Sequence, residues 1–376
     1  MNLRISPRRL WGTVTPPSSK SLLHRELIAS ALAGEILSAT ENAAEDVQRT
    51  AQALRCLWQE DAPIIDCGDS GSTLRFLLPV AMARRQVGAV FTGSRRLLER
   101  PIPDIGGWRR CEGGIEVMRP LTGGRYLLSG DQTSQIISGL LMALPLCPED
   151  SEIILTTPLV SRPYVDLTVV VLRRHGIVLC ETPRGWQIPG GQKYCAAPYQ
   201  VEGDWSAAAW YEVLNALGGE ITVRGMNEKS LQGDRQICAY CKALPDTVDV
   251  SRTPDLLPPL ALLAALQSGK VTHLTGAAFL RGKESNRLHS TAQVLNALGG
   301  CVEEQADGLV ITGVSKLTGG CVDSWGDHRI VMLAACAAMV CEAPVTLRDA
   351  GCVSKSYPDF WNDYVRLHGA VEVTEP

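Results

Sequence analysis

A seven-residue phrase, Val-Leu-Asn-Ala-Leu-Gly-Gly, occurs twice in the chain, beginning at Val213 and at Val294. Each copy ends an apolar helix pattern at a glycine pair and leads directly into a β-branched stretch, the order expected when a glycine terminates a helix and a strand follows. Weaker copies of this order lie near Gly113, Gly176 and Gly369. The repetition predicts an α/β protein made of repeated β-α-β units, each too small to bury its own apolar face.

Two further helix patterns, residues 47–58 and 235–244, lack a terminal glycine and run into short links that contain proline. We interpret them as copies of the same unit in which the hairpin after the helix is shortened.

The 376 residues exceed the size at which one hydrophobic core keeps growing, so two domains are expected. The candidate boundaries are the turn "TPPSSK" and the stretch "PYQVEGDW", where Asp204 is predicted to cap the next helix. If the chain crosses over at both, residues 20–203 form one continuous domain, and residues 1–19 with 204–376 form the second.

Charge and composition exclude several classes of protein. The formal net charge is −4 and no five or six like charges run together, which argues against nucleic-acid binding. We see no signal-peptide pattern and no run of about 18 uncharged apolar residues, so we expect a cytoplasmic protein without membrane contact. Thirteen irregularly spaced cysteines indicate free thiols, and Cys238 and Cys241 are interpreted as helical core residues because no second pair completes a zinc site. No extended apolar stretch is left unassigned, which favours a monomer.

Two helix starts are rich in hydroxyl groups. Residues 66–79, "DCGDSGSTLRFLLP", and residues 129–145, "SGDQTSQIISGLLMALP", both place Ser, Thr or Gln directly before an apolar helix. Such residues cap helices, but they also offer hydroxyls and backbone N–H groups to an anion. Each stretch alone leaves both interpretations open, while two in one chain favour convergence on an oxyanion.

Five cations stand in distinctive local settings, namely Arg100, Lys283, Arg287, Arg329 and Lys355. Arg329 is the most informative because the helix after it is apolar enough to be buried, and a buried guanidinium needs a partner. A structural ion pair with Asp327 is the simplest interpretation, and binding of an anion is the alternative. By contrast, four arginines without such a setting are expected on solvated helix faces: Arg109, Arg110, Arg173 and Arg174.

Carboxylates suited to proton transfer are fewer. Asp255 begins an apolar helix, so it is either a helix cap or a base whose pKa reflects both burial and nearby cations. Glu284 is either a helix ion-pair partner or an acid, and we expect a structural role for His328.

Nine motifs in order resemble one known family. They are S-K-S-x-x-x-R, G-x-S-G-[ST]-T-x-R, E-R-P-I-x-D, [ST]-S-Q, S-R-P-Y, P-D, K-E-[ST]-x-R, D-H-R and S-K-[ST]-[FY]-P-D-F, and they run from about Lys20 to Phe360. Together they resemble 5-enolpyruvylshikimate-3-phosphate (EPSP) synthase, also called 3-phosphoshikimate 1-carboxyvinyltransferase. The resemblance implies a two-domain inside-out α/β barrel with helix N-termini facing an interdomain cleft, in a compact form with the hairpins after Leu57 and Leu244 cut down.

The resemblance also implies two substrate sites. The implied shikimate 3-phosphate ligands are Lys20, Ser21, Arg25, Thr133, Ser134, Gln135, Ser161, Tyr164, Asp255 and Lys283. The implied phosphoenolpyruvate ligands are Lys20, Gly71, Arg100, Gln135, Arg287, Arg329 and Lys355. The first domain would hold most of the former site, and the second would supply the catalytic Asp255 and the arginines and lysine for phosphoenolpyruvate.

The implied reaction is addition followed by elimination. The 5-hydroxyl of shikimate 3-phosphate attacks C2 of phosphoenolpyruvate, and the adduct then loses phosphate in the shikimate pathway to chorismate and the aromatic amino acids. Asp255 would be the base, Lys20 and Glu284 candidate proton carriers, and no metal or organic cofactor is required. Glyphosate, a competitor of phosphoenolpyruvate in this family, is expected to inhibit.

Three positions depart from the family pattern: Asn286 replaces an acid, Phe279 a polar residue and Asp69 an asparagine. A catalytically weak ligand-binding relative is therefore one alternative. The other is the sister enzyme UDP-N-acetylglucosamine enolpyruvyl transferase. That enzyme has a cysteine in the loop before its Arg-Pro, whereas this chain has "SRRLLERP" there, which argues against this alternative.

Overall fold

The computed structural model describes residues 1–40, 42–198 and 201–374. Tyr199 and Gln200, in the stretch predicted to join the domains, lie outside the described residues, as do the last two residues of the C-terminal repeat. The chain divides into two compact units, one of Met1–Ser18 with Glu202–Pro376 and one of Ser19–Val201. We call these unit 1 and unit 2.

The helices in chain order are α1 Lys20–Leu32, α2 Glu45–Gln59, α3 Gly71–Ala83, α4 Arg95–Glu99, α5 Ser134–Ala143, α6 Arg162–Arg174, α7 Trp205–Ala216, α8 Ile237–Lys242, α9 Leu257–Ala265, α10 Arg287–Ala297, α11 His328–Ala338 and α12 Phe360–Arg366. Short 3₁₀ turns include Gly233–Gln236, Pro254–Leu256, Ala278–Gly282 and Ala350–Lys355.

The strands in chain order are β1 Asn2–Ser6, β2 Trp11–Val14, β3 Ile64–Asp66, β4 Val90–Thr92, β5 Trp108–Cys111, β6 Gly114–Val117, β7 Gly124–Leu128, β8 Ser151–Leu155, β9 Cys180–Thr182, β10 Gly185–Ile188, β11 Glu220–Val223, β12 Thr247–Asp249, β13 Val271–Thr275, β14 Cys301–Gln305, β15 Gly308–Thr312, β16 Gly320–Asp323, β17 Val345–Arg348 and β18 Ala370–Thr374.

Four sheets share one strand pattern, in which a parallel pair is followed by two antiparallel neighbours. Unit 2 contains the orders β3-β4-β6-β5 and β7-β8-β10-β9, and unit 1 contains β12-β13-β15-β14 and β16-β17-β1-β18. Strands β2 and β11 form a further parallel pair. In each four-stranded sheet one helix links the parallel pair, because parallel strands need a crossover connection. These crossover helices are α3, α5, α9 and α11.

The predicted order of helix, glycine and strand is confirmed at four of its five sites. Helices α6, α7, α10 and α12 are each followed by a glycine and then by a strand. The prediction near Gly113 is wrong, because β5 and β6 form a hairpin around Glu112 and Gly113 with Trp108 paired to Val117. The stretch Trp108–Cys111 has only four residues, which is too short for a stable helix. A strand at the edge of a sheet can be that short, and β5 is the last strand of its sheet.

Helices α2 and α8 lead into β3 and β12 through a few residues and without a hairpin. The shortened repeats predicted from the missing glycines are therefore present. Cys238 and Cys241 lie on α8, partly buried against the core of unit 1, and all thirteen cysteines are free thiols.

Each unit has its own hydrophobic core, built largely around the crossover helices. Helices α9 and α11 are buried along almost their whole length, as are α3 and α5. Helices α3 and α5 approach closely at Gly139, where a Cβ atom would lie 2.4 Å from the carbonyl oxygen of Arg75. Within the described residues, no helix is long and apolar enough to cross a membrane.

Candidate active site

Most of the predicted site residues lie at helix starts. Lys20, Gly71 and Arg287 are the first residues of α1, α3 and α10, and Ser134 opens α5. Arg329 is the second residue of α11, and Asp255 lies in the 3₁₀ turn directly before α9. Because the first backbone N–H groups of a helix have no intrahelical acceptor, these starts favour anions. We describe the residues as two clusters, one in each unit.

The hydroxyl cluster belongs to unit 2 and comprises Lys20, Ser21, Arg25, Gly71, Arg75, Arg100, Thr133, Ser134, Gln135, Ser161 and Tyr164. Side-chain caps create its two central helix starts. Ser70 Oγ accepts the N–H of Thr73 at 3.2 Å, and Thr133 Oγ1 accepts the N–H of Gln135 at 3.2 Å. The capping interpretation of both stretches is therefore correct, and it leaves the backbone N–H of Gly71 at the very start of α3.

Gly71 is surrounded by polar side chains. A Cβ atom at this position would lie 2.7 Å from Arg75 Nη1, 3.3 Å from Arg100 Nη1 and 3.3 Å from Gln135 Oε1. Arg75 donates to Gln135 Oε1 at 3.2 Å, and Gln135 Nε2 donates to Ser72 Oγ at 3.1 Å. Only glycine allows the backbone to approach these groups so closely. Gly71, Arg100 and Gln135, three of the implied phosphoenolpyruvate ligands, therefore lie close together.

Arg25 joins α1 to α6. Its guanidinium donates to the carbonyls of Ser21 and Tyr164, to the latter at 2.7 Å, and its Nε donates to Thr168 Oγ1 at 2.7 Å. Arg25 is only 3% exposed, so most of its donors are occupied within the protein. Ser161, at the start of α6, has a left-handed backbone with φ of 55° and its carbonyl accepts the N–H of Tyr164 at 3.0 Å. Arg25 therefore fixes Ser21 and Tyr164 relative to each other.

Lys20 is paired with a buried carboxylate. Its Nζ lies 3.0 Å from Asp46 Oδ2, and Asp46 is in the first turn of α2. Next to this pair, His24 is 1% exposed and its Nδ1 lies 2.8 Å from Thr50 Oγ1. Burial first, with Lys20 and Arg25 adding to it, lowers the pKa of His24 to about 3, although Asp46 opposes the shift. His24 is therefore neutral at pH 7.

The arginine cluster belongs to unit 1 and comprises Asp255, Lys283, Glu284, Arg287, Asp327, Arg329 and Lys355. Arg287 is at its centre and is 1% exposed. Its guanidinium donates to Asp255 Oδ1 at 2.8 Å, to Glu284 Oε2 at 2.8 Å and to Asp327 Oδ2 at 3.1 Å. A buried guanidinium requires such compensation, because leaving a charge unpaired in the interior is costly.

Asp255 is shared by two guanidiniums. Its Oδ2 accepts Nη2 of Arg329 at 2.8 Å, while Oδ1 accepts Arg287. Burial alone would raise the pKa of Asp255, but the charges of Arg329, Arg287 and Lys283 outweigh it and hold the pKa below its ordinary value. The interpretation of Asp255 as a helix cap is wrong, since α9 has no side-chain cap and this carboxylate is taken by arginines.

The two lysines of this cluster have different settings. Lys355 is buried, with its Nζ 3.7 Å from Glu284 Oε1. The Nζ of Lys283 lies 5.4 Å from the centre of the Phe279 ring, within cation–π range. Glu284 thus bridges Arg287 and Lys355, and the departure at Phe279 places an aromatic ring beside Lys283.

The expected ion pair between Asp327 and Arg329 is replaced by a different arrangement. Asp327 Oδ1 accepts the backbone N–H of Arg329 at 2.9 Å and so caps α11, while its carboxylate pairs with Arg287. His328, predicted to be structural, is 3% exposed with Nδ1 3.7 Å from Asp327 Oδ1. The guanidinium of Arg329 is therefore directed to Asp255.

Two of the four arginines predicted on solvated helix faces lie on a strand instead. Arg109 and Arg110 lie on strand β5; Arg109 pairs across the hairpin with Glu116 at 2.8 Å, and Arg110 donates to the carbonyl of Leu98. Arg174 is exposed at the end of α6, as predicted, and it also pairs with Glu26, which is 1% exposed. Arg173 is exposed on the helix, as predicted.

Two departures from the family pattern take part in local hydrogen bonds. Asn286 caps α10 by accepting the N–H of His289 at 3.3 Å, a role that asparagine and aspartate fill equally well. Asp69 accepts the hydroxyl of Ser94. Arg287 has three carboxylate partners in this chain, namely Asp255, Glu284 and Asp327.

Two buried residues in or beside the hydroxyl cluster, Arg75 and Asp46, were not predicted as site residues. Arg75 is 2% exposed in the apolar stretch "STLRFLLPV", and the argument used for Arg329 could have identified it. Asp46 carries no motif that would predict its pairing with Lys20. Among the described residues, no group of three or more His, Cys, Asp or Glu side chains is placed to hold a metal ion.

Comparisons with known proteins show the family of this chain. The model of the family described as EPSP synthase (3-phosphoshikimate 1-carboxyvinyltransferase) matches residues 5–364. A relative from Clostridium kluyveri named 3-phosphoshikimate 1-carboxyvinyltransferase is 37% identical over 417 aligned positions, covering 98% of this chain and 97% of that protein. The alignment has more positions than this chain has residues, so the relative carries segments that this compact chain lacks.

Solved structures share the fold. EPSP synthase from Acinetobacter baumannii matches with a TM-score of 0.74 and 23% identity, covering 100% of both chains. The enolpyruvyl transferase NikO from Streptomyces tendae matches with a TM-score of 0.75 and 19% identity, covering 100% of this chain and 99% of the other. The predicted enolpyruvyl transferase fold, an α/β architecture of repeated β-α-β units, is therefore confirmed.

Proposed function

The chain belongs to the EPSP synthase family, and from this premise we propose how the hydroxyl cluster and the arginine cluster carry out the family reaction. The protein is an enzyme of the shikimate pathway that transfers the enolpyruvyl group of phosphoenolpyruvate to the 5-hydroxyl of shikimate 3-phosphate and releases phosphate.

Shikimate 3-phosphate is bound mainly by the hydroxyl cluster. Its proposed ligands are Lys20, Ser21, Arg25, Thr133, Ser134, Gln135, Ser161 and Tyr164, with Asp255 and Lys283 completing the set. The starts of α1, α5 and α6 offer hydroxyls and N–H groups to an oxyanion, and Tyr164 offers a ring to the carbocycle. Arg25 contributes chiefly by holding Ser21 and Tyr164 in place, because its own donors are largely occupied.

Phosphoenolpyruvate is bound by cations of both clusters. Its proposed ligands are Lys20, the N–H of Gly71, Arg100, Gln135, Arg287, Arg329 and Lys355. Guanidiniums match a carboxylate or phosphate with two parallel hydrogen bonds, and lysines act as compact point charges. Since these ligands come from both units, the proposal requires both units to reach the same substrate. Residues 20–203 would then form the shikimate 3-phosphate domain, and residues 1–19 with 204–376 the catalytic one.

Asp255 is the proposed base. When phosphoenolpyruvate binds Arg329 and Arg287, its negative charge offsets part of the positive charge that lowers the pKa of Asp255. The pKa of Asp255 then rises, so its carboxylate becomes a better proton acceptor. The 5-hydroxyl gives its proton to Asp255 as its oxygen bonds to C2, while C3 receives a proton from Lys20 or Glu284. In the second half C3 returns a proton to Lys20 or Glu284, the C2–O bond to phosphate breaks, and the C2–C3 double bond re-forms. The proton held by Asp255 passes to the departing phosphate, so each group returns to its starting state.

The observation that carries this proposal is the pairing of one carboxylate with two guanidiniums, Asp255 with Arg287 and Arg329. It holds a base beside the cations that an anionic second substrate needs. No metal or organic cofactor enters the proposed steps, because phosphoenolpyruvate already carries the activated carbon and the cations stabilise the departing phosphate.

Phosphate release from phosphoenolpyruvate, measured with each acceptor, tests the proposal. We expect release that depends on shikimate 3-phosphate and none with UDP-N-acetylglucosamine. Release only with the nucleotide sugar would favour the sister enzyme, and binding of shikimate 3-phosphate without any release would favour the catalytically weak relative.

We propose that the enzyme is a monomer and that it acts in the cytoplasm on small-molecule substrates, without a nucleic-acid or membrane partner. Thirteen free thiols favour a reducing compartment. Sedimentation of the purified protein and fractionation of the source cells test these two points.

A further inference from the structure

Asp234 is a buried carboxyl group that the proposed mechanism does not use. It lies in the 3₁₀ turn Gly233–Gln236, packed against α7, and is 2% exposed. Its Oδ2 accepts a hydrogen bond from the hydroxyl of Ser206, in the first turn of α7. The same turn of α7 is fixed by Asp204, whose carboxylate accepts the N–H of Ala207 at 3.0 Å.

Ser206 connects this carboxyl group to the arginine cluster. Its carbonyl oxygen accepts Nη1 of Arg329 at 3.1 Å, and Nη2 of Arg329 donates to Asp255 at 2.8 Å. One residue therefore bonds Asp234 through its hydroxyl and Arg329 through its carbonyl. Both terminal nitrogens of the Arg329 guanidinium are therefore fixed, Nη1 by Ser206 and Nη2 by Asp255.

The charges around Asp234 include those of the cluster. Burial, followed by the negative charge of Asp255, raises the pKa of Asp234 to about 7; the Ser206 hydrogen bond and Arg329 oppose the shift, while Asp204 adds to it. Glu212, the other carboxylate of α7, interacts with Lys242 and the α8 cysteines instead. Asp234 and Asp255 thus influence each other's protonation.

We propose that Asp234 is a positioning residue for the enolpyruvyl transfer. It fixes the guanidinium of Arg329 through Ser206, and its negative charge weakens the binding of phosphoenolpyruvate by Arg329. The inference rests on the proposed role of Arg329 as a ligand of that substrate. It adds a function for a buried carboxyl group outside the set of proposed ligands.

The two contributions of Asp234 predict different effects of its variants. Asp234→Asn keeps an acceptor for the Ser206 hydroxyl but carries no charge at any pH. Asp234→Ala removes both, and Ser206→Ala keeps the carbonyl for Arg329 while removing the hydroxyl. A charge near Arg329 should weaken binding of an anion, so the loss of that charge should strengthen binding wherever the parent carboxyl is ionised.

The test is the KM for phosphoenolpyruvate at saturating shikimate 3-phosphate, measured at pH 6 and pH 8 for parent and variants. We expect the ratio of the parent KM to the Asp234→Asn KM to rise from near one at pH 6 to about fivefold at pH 8. A coupling of one pKa unit corresponds to tenfold only at a pH well above the pKa of the carboxyl group. Titration of phosphoenolpyruvate itself is common to both proteins and cancels in the ratio. Asp234→Ala should raise the KM about tenfold at pH 6, where Asp234→Asn does not, because the fork of Arg329 is then loosened.

Matched measurements separate positioning from general damage. The KM for shikimate 3-phosphate should change less than the KM for phosphoenolpyruvate in every variant, because Asp255 is the one of its ten proposed ligands that is bonded to Arg329. Asp363→Asn is the control, since Asp363 is also a buried carboxyl in unit 1 that accepts a hydroxyl, from Tyr357. It should leave the ratio between pH 6 and pH 8 at the parent value.

A parent enzyme that turns over normally while Asp234→Asn has the parent KM at both pH values would overturn this inference alone. Equal effects of Asp234→Ala and Asp234→Asn at pH 6 would overturn the positioning part of it. A parent without phosphate release would overturn the proposed function together with this inference.

Discussion

Asp255 and Arg329 meet through a carboxylate–guanidinium hydrogen bond of 2.8 Å, although 74 positions separate them in the chain. The proposed base is therefore hydrogen-bonded to a proposed ligand of the second substrate. We expect the arrival of phosphoenolpyruvate to change the charge around Asp255, which links substrate binding to activation of the base.

Arg329→Lys should raise the KM for phosphoenolpyruvate by about tenfold or more and leave kcat within a few-fold of the parent value. Lysine keeps the positive charge near Asp255 but loses the planar fork that can bind an anion with two parallel bonds. Steady-state phosphate release, with circular dichroism to exclude misfolding, measures both constants.

The control is Arg348→Lys, the same substitution at an exposed arginine on β17 of the same unit. It should change neither constant. If Arg329→Lys left the KM for phosphoenolpyruvate unchanged, Arg329 would have only a structural role.

Gly71→Ala should raise the KM for phosphoenolpyruvate and weaken inhibition by glyphosate. The new methyl group would lie 2.7 Å from Arg75 Nη1 and 3.3 Å from Arg100 Nη1, so these side chains must move. Inhibition curves at fixed phosphoenolpyruvate, for this variant and the parent, provide the measurement. Parent enzyme that resisted saturating glyphosate would show that the turn before α3 does not accommodate this competitor.

Gly139→Ala should destabilise the protein by about 1–3 kcal/mol, the usual cost of inserting a group into a packed core. The added Cβ would lie 2.4 Å from the carbonyl oxygen of Arg75 and 2.8 Å from Pro79 Cγ, so α5 and α3 would have to separate. The free energy of unfolding, obtained from urea denaturation, is the measurement.

Gly351→Ala serves as the comparison for Gly139→Ala, because no atom lies within 4 Å of its added Cβ and its φ is not in the left-handed region. Equal free energies of unfolding for the two variants would contradict this prediction, because α3 and α5 would then separate without loss of stability.

His24 should make the protein less stable as the pH falls. Its pKa is lowered to about 3 in the folded protein, whereas in the unfolded chain it returns towards 6.5, so below pH 6.5 the unfolded chain binds more protons. The free energy of unfolding should therefore decrease by up to about 1.4 kcal/mol per pH unit more in the parent than in His24→Gln. Denaturation between pH 7 and pH 4.5 measures this difference.

The exposed His289 provides the control for this pH dependence. His289→Gln should lose stability with falling pH almost as the parent does, and a His24→Gln profile parallel to the parent would contradict the neutral, buried His24. His175, whose pKa is also lowered by burial, is present in all three proteins and cancels.

Local patterns predicted much of the fold. The glycines after α7 and α10 mark helix ends because glycine adopts the left-handed backbone conformation needed there without steric strain. Gly218 and Gly299 have φ of 99° and 90°. Asp204 caps α7 as predicted. The error at Trp108–Cys111 arose because a short stretch between glycines has no helical period, and its strand pairing is decided by its partner β6.

The pairing of charges could not be predicted in the same way. Asp327 and Arg329 are neighbours in sequence and were expected to pair, yet the side chain of Asp327 reaches Arg287, 40 positions away. The pairing of carboxylates with guanidiniums depends on how separate repeats pack against each other. Local patterns in a single sequence do not indicate that packing. The helix starts, by contrast, are written locally in capping residues such as Ser70 and Thr133.

The value of kcat for Asp255→Asn tests the central claim most directly. Asparagine keeps the shape and an acceptor oxygen for the arginines but cannot take the proton of the 5-hydroxyl, so we predict a fall in kcat of about 10²–10⁴-fold. Phosphate release at saturating phosphoenolpyruvate and shikimate 3-phosphate should show that loss, with an unchanged circular dichroism spectrum. Turnover at the parent rate would contradict the assignment of Asp255 as the base and would make Glu284 the next candidate.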